Sequence, residues 1–402
     1  MFLGAGGFFH LFLATALSSC TAIHESTNRR DLARAQRDYS FFLSTAHRQR
    51  QKAAVDIRPG LTGYLRLALE NSPRIRASFE RWQASVHRIS QARRLPEPTL
   101  GFGYFVQAVE TRVGPQRARI SLQQTFPWPT KLTAGADAAS ARARAMQRRF
   151  EAQALSVSRR VSVAYWDLWQ LRTTRTIHRE HLDVIRGLSE SVRARMSTGS
   201  AMLAELQQID LAAARIEDNI RGMDEAERSA EAKLRAAIGA KFPDLPSAPN
   251  STMSSTPDAP GPAVMPSESR ETLSGWVRTH PTIDSQNYLA EASAATAQVK
   301  GAERLPSFTF GADWILTDDA PTAGVDGSGR DAVIVGAAIR LPLWQNSYID
   351  SIEAAEAEAR AYRAEQQALI DRAEAELTST LAALKDATRR IELYRATLFP
   401  QA

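Results

Sequence analysis

The chain is 402 residues long, has a formal net charge of +6 and contains one cysteine. Its length allows a sizeable core, but aromatics make up only 7%, and Ala, Arg, Glu, Gln and Leu dominate as they do in long helices, which points to an elongated molecule. A single cysteine excludes an internal disulfide framework or a zinc cluster, and basic residues interspersed with acids, without interleaved aromatics, exclude a nucleic-acid signature.

Residues 1–19 read as a signal peptide. Phe2 to Leu17 is an uncharged apolar run, too short for a transmembrane helix, and the small Ser18 and Ser19 follow it. No Lys or Arg precedes the run. Leu17-Ser18-Ser19-Cys20 resembles a bacterial lipobox, which would make Cys20 the lipidated first residue of the mature chain. Thr21 stands where an Asp would alter sorting, and so resembles an outer-membrane lipoprotein. The competing reading of Cys20 is a buried free thiol. Residues 20–60 form an anchor and a charged, poorly periodic arm that Pro59-Gly60 ends.

A first repeat spans 61–240. Leu65, Leu69, Ile75, Phe79, Trp82, Val86 and Ile89 keep helical spacing toward Leu95, with a cap and restart at Asn71-Ser72-Pro73. A strand pair over 99–126 follows. Leu100, Phe102, Tyr104 and Val106 alternate with Gly101, Gly103 and Phe105, and Ile120, Leu122, Gln124 and Phe126 alternate with Ser121, Gln123 and Thr125, around a loop holding Gly114-Pro115. Thr130 to Met196 contains no proline, so the spacing predicts a helix of about 65 residues, roughly 100 Å at 1.5 Å per residue. Ser197 to Ser200 breaks it, and a return helix to Gly239 completes a long hairpin over 130–239.

A Pro/Ser-rich linker occupies 241–266. The second repeat, 267–402, starts with a helix near Glu268 that restarts at His280-Pro281. It continues with strands Ser307 to Leu316 and Ala332 to Leu341 (pair 307–341) and a helix over 346–398. Ile352, Ala355, Ala359, Tyr362, Leu369, Ala373, Leu377, Leu381, Leu384, Ile391 and Leu398 step along that helix as a coiled-coil seam would, with Gln366 interrupting. Arg94-Leu95-Pro96-Glu97-Pro98 matches Arg304-Leu305-Pro306, and Phe126-Pro127-Trp128-Pro129 matches Leu341-Pro342-Leu343-Trp344, so one large unit is written twice. Pro96, Pro98, Pro127, Pro129, Pro306 and Pro342 therefore mark strand–helix junctions, where proline stops ladder pairing and presets a helix start.

Strands of about ten residues cross an outer-membrane hydrocarbon layer when tilted. Four of them leave backbone edges unpaired in lipid, whereas three copies of the chain would close a barrel of twelve. The expected fold class is mainly α with a small β part: long helical hairpins forming a periplasmic α-barrel, and four strands per protomer contributing to a trimeric transmembrane β-barrel.

Over Leu61 to Ala402 the chain resembles the TolC family of outer-membrane efflux proteins. The resembling residues are Ala68 to Pro73, Arg94 to Pro98, Phe126 to Leu132, and Arg195 to Gly199 followed by Leu203, Glu205 and Leu206. Phe126-Pro127-Trp128-Pro129-Thr130-Lys131-Leu132 looks most like the heavy-metal cation branch, which usually has Gly where Thr130 stands. The resemblance implies a homotrimeric, passive exit duct in a tripartite efflux system. A periplasmic membrane-fusion adaptor would link it to an inner-membrane RND-type pump, with no catalysis and no cofactor. It maps the adaptor-contacting tip onto Arg195, Thr198, Gly199, Ser200 and Leu203. Compared with the first repeat, the second is expected to lack the end of its outgoing helix and the whole return helix.

His178 and His181 have a spacing that can hold a metal in helical bundles, but their charged neighbours favour a solvated face. Met196 and Met202 read as packing, and Asp313, Asp318, Asp319, Asp326 and Asp331 read either as loop solvation or as a cation site. No nucleophile elbow, phosphate loop or metal-spaced cluster occurs, so neither an enzyme nor a metal protein is expected. Two competing readings are a lipid-anchored periplasmic helical scaffold and a truncated, non-conducting efflux remnant. Membrane conductance separates both from a duct.

Overall fold

The computed structural model describes residues 61–239 and 266–398, together with Arg30, Ala33 and Arg37. Cys20 and the segment 241–265 lie outside the described residues. In chain order the elements are α1 (Leu61–Asn71), α2 (Pro73–Ala92), β1 (Thr99–Val109), β2 (Gln116–Phe126), α3 (Pro129–Ser197), α4 (Leu203–Ile238), α5 (Arg270–Arg278), α6 (Pro281–Ala302), β3 (Ser307–Thr317), β4 (Ala332–Arg340) and α7 (Gln345–Leu393). A π-helical stretch, Tyr394–Leu398, follows. No helix among the described residues is long and apolar enough to cross a membrane. The fold is mainly helical with one small antiparallel sheet, as the periodicities predict.

These elements form two compact units, and each draws on both halves of the chain. The spatial units therefore do not coincide with the sequence repeats. The first contains residues 81–149 and 274–375, and with them the whole sheet. Its strand order is β1-β2-β3-β4, antiparallel throughout, so the only pairing between distant chain segments is β2 with β3. In the same unit, the beginning of α3 buries Ala134, Ala136, Ala138, Ala143 and Ala145, and α6 buries Ala290, Ala292 and Ala297. Small side chains let these helices approach closely. Arg142 to Thr296 (3.1 Å), Arg148 to Asp284 (2.7 Å) and the Arg144 guanidinium over Tyr288 tie them in antiparallel order.

The second unit contains residues 61–80, 150–239, 266–273 and 376–398. Tyr64, Ile75, Val161, Leu168, Leu234 and Ile238 meet in its core, and each fully buried side chain of this kind is worth about 1.5–3 kcal/mol. Burial also pushes the Tyr64 hydroxyl above its ordinary pKa, with the Arg172 charge opposing the rise. Along α7 the seam residues Ile352, Tyr362, Leu369, Ala373 and Leu377 are half-buried between exposed neighbours, and only Ala355 and Ala359 are fully buried.

Boundaries depart from the expected ones for local reasons. The first helical run stops at Ala92 rather than Leu95, because Pro96 and Pro98 push the residues before them into extended backbone. The helix expected near Glu268 starts at Arg270, and its successor is capped by His280, whose Nδ1 accepts the Thr282 N–H with Pro281 at the first helical position. The helix expected from 346 starts at Gln345, and β4 ends at Arg340.

The α4 helix ends at Gly239, which has φ 78° and donates its N–H to the Arg235 carbonyl. A Cβ there would lie 2.8 Å from Pro73 Cδ and 3.0 Å from Ser72 Cα, at the break between α1 and α2. Gly239→Ala should therefore cost about 1–3 kcal/mol through left-handed strain and a clash with rigid backbone. Gly187→Ala, in the middle of α3 with open space around it, should stabilise by about 0.5–1 kcal/mol. Denaturant unfolding of the two purified variants checks both the signs and the contrast.

Candidate functional site: the sheet, its junctions and the hairpin tip

The pairing register sorts the sheet into two chemically distinct faces. Leu100, Leu122, Ala312 and Val335 lie in one cross-strand row, and Phe102, Ile120, Trp314 and Val333 in the next. With Phe126, Phe308, Phe310, Leu316 and Ile339, they make one face apolar almost throughout, with Gln124 as the polar exception. That face is open: Val106 is 96% and Val335 83% exposed. The opposite face carries Gln123, Ser121, Thr125, Thr309, Arg119 and Asp313, with Gly101, Gly103, Gly311 and Gly336 between them. Thr125 and Thr309 share a hydrogen bond of 2.8 Å. Arg119 donates from Nε and Nη2 to the two oxygens of Asp313, whose side chain is only 17% exposed. Ile315, buried on this face, Ile334, which pairs with Asp313, and Phe105 depart from strict alternation.

Of the acidic residues expected to be solvated or cation-binding, most have internal partners. Asp313 pairs with Arg119, Asp318 with Arg117, and Asp331 accepts from Trp314 Nε1 and the Thr317 N–H. Asp319 accepts from Ser328. The β1–β2 turn and the β3–β4 loop are also joined by backbone bonds, Asp318 N–H to the Pro115 carbonyl and Gly329 N–H to the Val113 carbonyl. No group of three or more His, Cys, Asp or Glu that could hold a metal occurs among the described residues. His178 is half-buried and His181 exposed, so the two do not share an environment.

The prolines stand at the strand ends. Pro98 precedes β1, Pro127 follows β2, Pro129 is the first residue of α3, Pro306 precedes β3, and Pro342 lies between β4 and α7, with Pro96 just ahead of β1. Two glutamines complete these junctions: Gln124 Nε2 donates to the Pro96 carbonyl at 2.8 Å and Gln345 Nε2 to the Pro342 carbonyl at 2.7 Å. A third fastening joins α3 to the end of α6. Glu303 accepts from Lys131 and Lys300, each at 3.1 Å. Burial works to raise the Glu303 carboxyl, but the hydrogen bonds from the two lysines outweigh it and hold the pKa below its ordinary value.

At the hairpin tip, Gly199 has φ 73° and donates to the Met196 carbonyl, while the Ser200 N–H reaches the Arg195 carbonyl at 2.8 Å. This is a Schellman turn, which consumes carbonyls that the end of α3 would otherwise leave unpaired. The Thr198 hydroxyl also donates to the Arg195 carbonyl, and Arg195 pairs with Glu205 at 2.9 Å. Arg195, Thr198, Gly199, Ser200 and Leu203 are all exposed, as is Met202. The turn therefore presents a mixed polar and apolar knob on a fixed backbone. Sequence reasoning missed Gln124, Gln345 and the Glu303 clasp, for none of which a motif exists.

A small antiparallel sheet with one exposed apolar face, fed by long helices, defines the protomer fold of TolC-like channels. Solved structures with this fold include the outer membrane protein VceC of Vibrio cholerae, at TM-score 0.65 and 20% identity over 85% of this chain and 82% of that one. A membrane protein from Pseudomonas aeruginosa matches at TM-score 0.67 and 16% identity over 86% and 81%. CusC, whose structures concern folding and transmembrane channel formation, matches at TM-score 0.68 and 15% identity over 85% and 79%. Residues 64–240 match the family model described as outer membrane efflux protein. No curated protein matches the sequence.

Because the folded-state pKa of Glu303 is depressed, its contribution to stability is present above the ordinary carboxylate value and is lost as pH falls through the folded one. Glu303→Gln should lower stability by about 0.5–1 kcal/mol near neutral pH. The gap between parent and variant should close once the solution is acidic enough to protonate the parent's carboxyl. Thermal unfolding of both proteins across an acid series measures it.

Proposed function

We propose that this chain is the protomer of an outer-membrane efflux channel, a passive duct that receives substrates from an inner-membrane pump through a periplasmic adaptor. The observation that carries the reading is the exposed apolar face of a sheet whose two outer edges, β1 and β4, are unpaired among the described residues. An apolar surface of this extent does not suit a scaffold bathed in water. Hydrocarbon suits the face but not the edges, since each unsatisfied backbone group in lipid costs several kcal/mol. Joining β4 of one copy to β1 of the next removes both edges, and three copies make a barrel of twelve strands around a polar lumen. Strands of nine to eleven residues have the reach for this.

The match of 64–240 to outer membrane efflux proteins supports the same assignment. The finer parts of the reading are a homotrimer, lipidation at Cys20, docking of an adaptor on Arg195, Thr198, Gly199, Ser200 and Leu203, coupling to an RND-type pump, and a place in the heavy-metal cation branch, which the Phe126 to Leu132 junction resembles.

In planar bilayers the purified protein should pass ions in discrete steps and migrate as a trimer in mild detergent. Val335→Arg, on the apolar face, should remove insertion, because an arginine facing mid-bilayer lipid costs about 2–4 kcal/mol. Thr309→Lys, on the polar face, should insert normally and change only conductance. A monomeric, non-conducting parent, or a Val335→Arg protein that inserts as well as the parent, would refute the assignment.

A further inference from the structure

The hairpin of α3 and α4 is cross-linked by ion pairs that follow one rule. Arg172 meets Glu231 at 2.8 Å, Arg179 meets Asp224 at 4.0 Å, Arg186 meets Glu217 at 2.6 Å and Arg193 meets Asp210 at 3.3 Å. Each step moves seven residues forward on α3 and seven back on α4, and every cation is on α3 and every acid on α4. Seven residues is the period at which two supercoiled helices keep the same faces together.

A periodic ladder cannot by itself choose between registers one repeat apart. One such slip lengthens the five-residue loop between the helices, Thr198 to Met202. In that register Arg179 would face Glu231, Arg186 would face Asp224 and Arg193 would face Glu217, so most of the ladder would survive.

One layer occurs only once. Arg175 Nη1 lies 2.9 Å from Asp224 and closer still to Glu227, and Arg172 Nε reaches Glu227 at 2.6 Å. The Glu227 side chain is 12% exposed. One heptad away on either helix the corresponding residues are apolar and buried, Leu182 and Leu168 on α3 and Leu234 on α4. A slip would set Arg175 against Leu234 and Glu227 against Leu182, stranding both charges in an apolar seam. Thr173 Oγ1, Arg175 Nε and His178 Nδ1 are buried here without a hydrogen-bond partner. Such a layer is a poor source of stability, and its best-attested use is to specify register.

We propose that Arg175 and Glu227 are positioning residues: they key the α3–α4 coiled coil to one register, while the outer arginine–acid ladder fixes which flanks meet. A slip by one repeat would lengthen the tip loop by seven residues, so the key also fixes the shape of the exposed tip. This inference rests on the hairpin alone and stands whether or not the chain conducts.

The test uses the full chain in detergent with spin labels at the exposed Val184 and Ala214, read by pulsed electron–electron distance measurements. The parent should give a single narrow distance. Arg175→Leu with Glu227→Leu should melt no lower than the parent yet show a second population displaced along the axis by about 10 Å, one heptad of rise. Arg175→Lys with Glu227→Asp, which keeps each charge opposite its partners Asp224 and Arg172, should hold the single distance. A double-leucine chain that keeps the parent's distance, or a lysine–aspartate chain as heterogeneous as the double-leucine one, would overturn the key. Arg186→Glu should broaden the distribution, and adding Glu217→Arg should narrow it again. This pair of variants decides the ladder even if the double-leucine chain does not fold, since failure of the swap to recover would remove the ladder's role.

Discussion

Backbone N–H and C=O groups on the free sides of β1 and β4 need partners, and the apolar face beside them needs a solvent that supplies none. Water would satisfy the edges but not Val106 or Val335; hydrocarbon would do the reverse. Both demands are met together only when the edges meet other edges. Among the described residues the sheet is therefore an incomplete object, and on the proposed reading repetition of the chain completes it. The polar face then needs no further explanation. Its glycines and its Arg119–Asp313 pair line a surface that water can wet, and its only fully buried large side chain is Ile315.

That completion sets requirements on the junctions. A strand obliged to pair on both sides must stop within a residue or two of where the helices begin, or the helices would carry unpaired ladder groups with them. Proline supplies the stop by lacking an N–H, while its carbonyl, outside the ladder, still needs a donor. Gln124 and Gln345 meet the Pro96 and Pro342 carbonyls, and the lysine clasp on Glu303 ties the first turn of α3 to the end of α6. The Gln124 and Lys131 contacts reach segments far along the chain, whereas those of Gln345 with Pro342 and Lys300 with Glu303 are local, and no motif marks any of them.

The periodicities carried most of the fold. Alternation found the strands, a proline-free stretch found α3, and a doubled proline signature fixed the order of elements. Local patterns failed where the deciding contact is remote. The residues after Ala92 have helical spacing but stand before Pro96, and the loop aspartates looked free although arginines on β2 or backbone groups across the sheet hold most of them. The two spatial units each mix both repeats, because β2–β3 pairing and helix packing join residues that duplication separated. The tip was legible as a break, since Gly199 is the residue that tolerates its backbone geometry. Its rigidity was not, because that comes from several hydrogen bonds converging on the Arg195 carbonyl.

The ion-pair ladder was present in the sequence at constant spacing, yet charge on a long helix ordinarily signals only a solvated face. What separates a ladder from solvation is complementarity on a second helix running the opposite way, and that appears only when the hairpin is closed. A long hairpin with an apolar seam alone would gain stability at every heptad and lose definition at every heptad, since neighbouring registers would bury similar area. Charges confined by sign to opposite helices forbid mismatched flanks, and a single buried polar layer removes the remaining degeneracy at some expense in stability. The sheet and the hairpin thus face one problem in different forms, a repetitive element that must pair in only one way. The sheet solves it with faces of opposite polarity, because a one-residue slip would turn its apolar row toward water. The hairpin solves it with charge.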